Sequence, residues 1–217
     1  MKKILMVVTN HAKIGEGKTG LWLEEFAVPY QEFKKQGYEV KVVSIEGGEV
    51  PLDENSLADD HGQFDQEKEL LKNTAALTRE DAHGFDAIFL PGGHGTVFDF
   101  PNSRNLQVVV SQMAQDDKVV SAVCHGPAGL VTATYEDGTP IVKGKKVAAF
   151  TDAEELETGL EKEVPFLLET RLRELGANIV KGDNWSDVSV IDGRLVTGQN
   201  PQSSKSTALK VIEVLEK

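Results

Sequence analysis

The chain has 217 residues, 40% of them hydrophobic, a single cysteine and a formal net charge of −12 at pH 7. That length supports a sizeable core, the acidity disfavours a nucleic-acid partner, and no run approaches the roughly eighteen apolar residues a membrane span needs. One cysteine excludes an internal disulfide and a cysteine-rich zinc site, and "MKKILMVVTN" turns polar too early for a secretory signal, so the expectation is a cytoplasmic protein without a membrane partner.

In chain order, "KKILMVV" predicts a strand, residues 20–36 a helix, "EVKVVS" and "FDAIFLP" further strands, and residues 103–115 a helix. "VVSAVC" predicts a strand running into a helix from about 126. "KVAAF", the helix "VPFLLETRLRELG", "ANIV", a hairpin "VSVIDGRLVTG" turning at Asp192-Gly193 and the helix "SSKSTALKVIEVLE" complete the chain. Nearly continuous apolar strands separated by helices indicate a mostly parallel, doubly wound α/β sheet, flavodoxin-like, with helices on both faces. Segment 45–65 interrupts the alternation with acids and turn formers. It is too long for a tight connection and predicts a cap insertion within one domain spanning 1–217.

Ligands of an open parallel sheet bind beyond the carboxyl ends of its strands, and three such ends carry unusual residues. Cys124-His125-Gly126 sits where a strand must turn sharply into a helix that Pro127 is suited to open. That geometry is similar to a nucleophile elbow, and a helix start beside the thiol predicts a lowered pKa. The alternative is a buried strand cysteine with no chemistry. "LPGGHG" (90–95) places glycines where backbone N–H groups can serve a developing oxyanion, although such a turn can be only a turn. In "TGLWLEEFAVPY" (19–30), Glu25 has Leu21, Trp22 and Val28 one turn away, so its carboxyl lies along an apolar face, and Pro29 removes the N–H that would bond its carbonyl. A carboxyl so placed holds its proton more tightly, unless it simply reaches solvent.

"TGLWLEE", "LPGGHG", "AVCHGPAGL" and "LVTGQNPQSS", in this order over residues 2–215, resemble the DJ-1/ThiJ/PfpI superfamily, and within it the Hsp31-like branch of glutathione-independent glyoxalases and chaperone-like proteins. The resemblance implies Cys124 as nucleophile, His125 as adjacent base and Glu25 as the carboxylate facing the thiol. Glu155 becomes the acidic partner, with Glu154 as the neighbouring alternative. The Gly92-Gly93 turn and the N–H groups of Gly93 and His125 become the oxyanion and substrate site. It also implies a small reactive carbonyl such as methylglyoxal as substrate, no metal or other cofactor, and a possible homodimer. Protein deglycation, a stress-linked holdase with an apolar patch near Trp22 or Trp185, and cysteine redox sensing are the alternatives within the same superfamily.

Overall fold

The computed structural model describes every residue except Asp59, which leaves that one position of the expected cap outside the described residues. Its strands are β1 (Lys3–Val8), β2 (Lys13–Ile14), β3 (Gly17–Lys18), β4 (Glu39–Ser44), β5 (Ala75–Ala76), β6 (Ala87–Leu90), β7 (Val119–Val123), β8 (Lys146–Val147), β9 (Asn178–Ile179), β10 (Ser189–Asp192) and β11 (Leu195–Gly198). Its helices are α1 (Leu23–Lys35), α2 (Asp65–Leu70), α3 (Thr96–Asp99), α4 (Arg104–Gln115), α5 (Asp152–Thr158), α6 (Leu168–Glu174) and α7 (Ser204–Leu215). No helix among the described residues is long and apolar enough to cross a membrane.

Seven strands form the central sheet in the order β10-β11-β7-β6-β1-β4-β5. Every pairing is parallel except the β10–β11 hairpin. β6 and β7 are buried at every position, as strands covered on both faces must be, and their runs AIFL and VVSAV carry only one polar residue. That residue, Ser121, satisfies its hydroxyl on the Ile88 carbonyl at 2.6 Å. α4 turns Leu106, Val109, Val110 and Met113 to the core at helical spacing, while α1 places Phe33 edge-on against Phe89 of β6, with centroids 5.6 Å apart.

From β1 the chain continues to β4 on one side, whereas β6 and β7 lie on the other, so the sheet reverses direction at β1/β6. A crevice opens outside the carboxyl ends of the strands at such a reversal, and the expected site residues follow β1, β6 and β7.

The structure differs from the sequence reading in several elements. α1 begins at Leu23 rather than 20, because Leu21 bridges Leu52 and is held in extended backbone: its N–H donates to the Pro51 carbonyl at 2.8 Å. This same pairing docks segment 45–65 beside the entrance to α1. "KVAAF" contributes only β8, which pairs with β9 in a separate two-stranded ladder. Beyond it, the Ala148 N–H donates to Thr197 Oγ1 and the Phe150 N–H to the Cys124 carbonyl, so the run turns towards the site instead of joining the sheet. The helix expected over 164–176 shrinks to α6, and the one expected from 126 is a five-residue 3-10 turn, Gly126–Leu130.

Candidate active site

Cys124 follows β7 in the left-handed region, φ 60°, an unusual conformation for a residue with a side chain. Such backbone costs about 1–3 kcal/mol and persists only where the surroundings impose it. They do so here: the Cys124 N–H donates to Gly198 of β11 at 3.0 Å and its carbonyl accepts from Phe150 at 2.9 Å. The side chain is thereby turned off the strand into the crevice as an elbow, with 3% of the residue exposed.

One buried carboxyl, Glu25, acts on the sulfur directly, and a second, Glu155, reaches it through His125. Glu25, fully buried on α1, accepts the Gly92 N–H on Oε2 at 2.7 Å, while Oε1 is sealed from solvent without a hydrogen-bond partner. Burial pushes its pKa up to about 8, against the lowering pull of the Cys124 thiol and the Gly92 N–H, so it carries a proton at neutral pH. Glu24, next in the chain, faces outward. The contact between Glu25 and Gly92 requires glycine: a Cβ at 92 would stand 2.6 Å from Glu25 Oε2 and 2.7 Å from the His125 nitrogen. Gly93, at φ 102°, lets the turn pass against the Gly20 carbonyl, which a Cβ would approach to 2.2 Å.

On the other side, His125 places Nδ1 3.5 Å from Cys124 Sγ and Nε2 2.6 Å from Glu155 Oε2. The second oxygen of Glu155 meets His94 Nε2 at 2.5 Å and the Thr158 hydroxyl at 3.0 Å. Burial opposes the charge on Glu155, yet the two imidazoles more than offset it and hold this carboxyl well below the usual carboxylate range. Burial, with His94 alongside, lowers the pKa of His125 despite Glu155, so the ring is neutral at pH 7. An ionised carboxylate only accepts, which requires both Nε2 atoms to bear hydrogen and, on the neutral His125 ring, leaves Nδ1 as a base. Phe150 packs at a tilt against His125 with centroids 4.1 Å apart, and Trp185 meets Phe150 edge-on at 5.6 Å. Thr96 Oγ1 lies 2.8 Å from the Gly93 carbonyl and 2.9 Å from that of His125, joining the glycine turn to the elbow.

The structure thus brings Cys124, His125, Glu25, Glu155, Gly92 and Gly93 into one crevice. Glu154 is directed elsewhere. Its Oε2 closes a capping box with Thr151, while Oε1 accepts from Gln199, Asn200 and the Trp185 N–H. The sequence reading took only the glycines of "LPGGHG" and passed over His94, whose signal was an imidazole inside a motif already assigned to the crevice.

The expected lowering of the thiol pKa is overturned. Burial first, then Glu25, both through its hydrogen bond and through its charge once it ionises, and Glu154 through its charge, push the Cys124 thiol well up, with the His125 backbone N–H opposing. A five-residue 3-10 turn carries too little aligned dipole to reverse this. Among the described residues, His94, His125 and Glu155 are the set able to present metal ligands, with their donor atoms within 4.8 Å of one another. An ion there would have to displace the hydrogens of both Nε2 atoms, because the two short contacts already occupy the carboxylate as hydrogen-bond acceptor.

The family model described as the DJ-1/PfpI family matches residues 19–214. The protein named glutathione-independent glyoxalase HSP31 of Saccharomyces cerevisiae is 35% identical over 236 aligned positions, covering 99% of this chain and 98% of the relative. The crystal structure of glyoxalase III from Candida albicans superimposes with a TM-score of 0.89 at 34% identity, covering 98% of this chain and 97% of that one. The Rapid Encystment Protein 24 KDa of Francisella tularensis superimposes at 0.94 with 37% identity, covering 99% of each chain. With the family model spanning most of its length and full-length relatives above 30% identity, this chain is a member of the DJ-1/PfpI family.

Proposed function

We propose that this protein is a glutathione-independent glyoxalase that converts small 2-oxoaldehydes such as methylglyoxal to 2-hydroxy acids, with Cys124 as nucleophile. The observation that carries the reading is the geometry about one thiol: buried Glu25, held by the Gly92 N–H at 2.7 Å, on one side, and His125, with Nδ1 3.5 Å from Sγ and Nε2 2.6 Å from Glu155, on the other. The names of the full-length relatives support the same substrate class.

Addition and proton transfer follow from this arrangement. The raised pKa means that the sulfur is activated during attack rather than at rest: His125 Nδ1 takes the thiol proton as Sγ bonds to the aldehyde carbon, then returns it to the new oxygen, giving a neutral hemithioacetal. The N–H groups of Gly93 and His125 supply donors for that oxygen as charge develops. His125 next removes the hydrogen on C1 while Glu25 protonates the ketone oxygen, forming an enediol. The proton on His125 then goes to C2, Glu25 recovers one from the C1 hydroxyl, and a 2-hydroxyacyl thioester remains on Cys124. Water cleaves it to the hydroxy acid and the free thiol. The internal cysteine thereby fills the thiol role for which glutathione would otherwise be needed.

The test is methylglyoxal consumption and lactate formation by wild type and by Cys124→Ser, without glutathione. Wild type is expected to form lactate well above the buffer rate, and the serine variant, folded by circular dichroism, to lose it. Equal rates for the two proteins would refute the reading.

A further inference from the structure

The isomerisation uses Glu25, Cys124 and His125, which leaves one buried imidazole of the same cluster without a task. His94 stands 4.1 Å from His125, ring centre to ring centre, and shares Glu155 with it through Nε2. Because Glu155 accepts only, Nε2 of His94 carries the hydrogen of that contact, and the ring's other nitrogen is Nδ1. That atom makes no hydrogen bond among the described residues, and it is not one of the unpartnered atoms sealed from solvent. Unlike Nδ1 of His125, which faces the sulfur at 3.5 Å, it is unengaged. Release of the hydroxyacyl group demands a base for the attacking water while the sulfur departs, and Nδ1 of His125 faces that sulfur.

We infer that His94 is the general base of the hydrolytic half-reaction, an inference that rests on the glyoxalase reading and adds its second catalytic imidazole. Water attacks the thioester carbon while His94 Nδ1 takes one of its hydrogens. The carbon–oxygen bond forms and the carbon–Sγ bond breaks. The sulfur leaves as thiolate against the His125 N–H, and the proton on His94 then passes to it, restoring the thiol and neutral imidazole. No oxidant or further reactant enters. Glu155 thus orients two bases with one carboxylate, one for the sulfur and one for water.

His94→Gln separates the roles, because a glutamine can still donate to Glu155 yet carries no basic nitrogen. In a rapid-mixing experiment with methylglyoxal, this variant is expected to consume about one equivalent quickly and then turn over some 10²-fold more slowly than wild type, the usual size of a lost general base. After rapid desalting, hydroxylamine should release lactohydroxamate from the variant but not from Cys124→Ser or from wild type after turnover. The hydroxamate identifies a thioester rather than a simple hemithioacetal. A merely structural role for His94 would slow the burst itself and leave no thioester. His94→Asn repeats the measurement should the glutamine variant fail to fold.

Wild type making lactate while neither His94 variant accumulates thioester would overturn the inference and leave the glyoxalase reading intact. Wild-type protein that makes no lactate at all would refute both. A thioester confined to the His94 variants would establish the assignment.

Discussion

Glu25 and Glu155 are the same residue type, both buried and both within reach of the Cys124–His125 pair, yet they stand in opposite proton states. Glu25 meets one backbone N–H and a thiol, with Oε1 unsatisfied, so burial prevails and the proton stays. Glu155 meets two imidazoles and a hydroxyl, so both oxygens are satisfied and the charge stays. Depth alone therefore does not assign acid and base; the number and kind of donors do. The arrangement places a proton source on one side of the sulfur and proton acceptors on the other, which an isomerisation needs simultaneously.

The most severe way to break this contrast is Glu155→Gln. An amide offers one acceptor where two imidazoles require two, so one ring must turn its lone pair towards the amide NH2. If that ring is His125, Nδ1 acquires a hydrogen and no longer accepts from the thiol. Turnover is expected to fall about 10³-fold or more, comparable to a mispositioned triad histidine, while the far-ultraviolet spectrum is retained. Turnover within tenfold of wild type would show that Glu155 does not set the tautomer.

Glu25→Gln comes next. The amide preserves the shape of the side chain but supplies no acid, and a fall of about 10²-fold in kcat is expected. The same variant sharpens the contrast through stability. Between the ordinary carboxyl value of 4.5 and about 8, the unfolded chain has released the Glu25 proton and the folded chain retains it. Wild-type stability must then decline as pH rises through this window, because the folded state binds more protons than the unfolded state. At about 1.4 kcal/mol per pH unit the decline across the whole window amounts to several kcal/mol at most. Urea unfolding of wild type and variant at pH 5, 6, 7 and 8 should show the decline only in wild type, and parallel curves would mean that Glu25 is not protonated in the fold.

The contrast also shows what the sequence could disclose. Cys124, His125 and the glycines were legible because an elbow and a glycine turn are local: an apolar strand followed by Cys-His-Gly-Pro, and another followed by Pro-Gly-Gly. Glu25 was legible through its apolar neighbours one turn away, and the structure buries it while leaving Glu24 exposed. Glu154 and Glu155 were not separable, because both lie in the first turn of α5 and which faces His125 depends on how that helix docks against β7. The thiol pKa was misread for a related reason. A helix dipole is inferred from the following residues alone, whereas burial and the hydrogen bond to Glu25 arrive from elements distant in the chain. "KVAAF" shows the same limit: β-branched and apolar composition predicts a strand, but Phe150 is spent on the Cys124 carbonyl and the His125 ring.

The smallest expected effect on activity is the control that separates the neighbouring acids. Glu154 is as buried as Glu155, and its carboxylate is satisfied by Thr151, Trp185, Gln199 and Asn200, none of which touches the sulfur. Glu154→Gln should therefore weaken the cap of α5 and the tie to the Trp185 loop, costing about 1–2 kcal/mol, or about 2–8 °C in Tm for a chain of this size. Its kcat should stay within about twofold of wild type at a temperature where the variant is folded. A kinetic loss approaching that of Glu155→Gln would mean that Glu154 acts on the Cys124–His125 pair, by its charge or through the Trp185–Phe150–His125 ring contacts. Burial and charge would then be insufficient to distinguish the two acids, and coupling through the ring stack would have to be measured by a double-mutant cycle with Phe150→Leu.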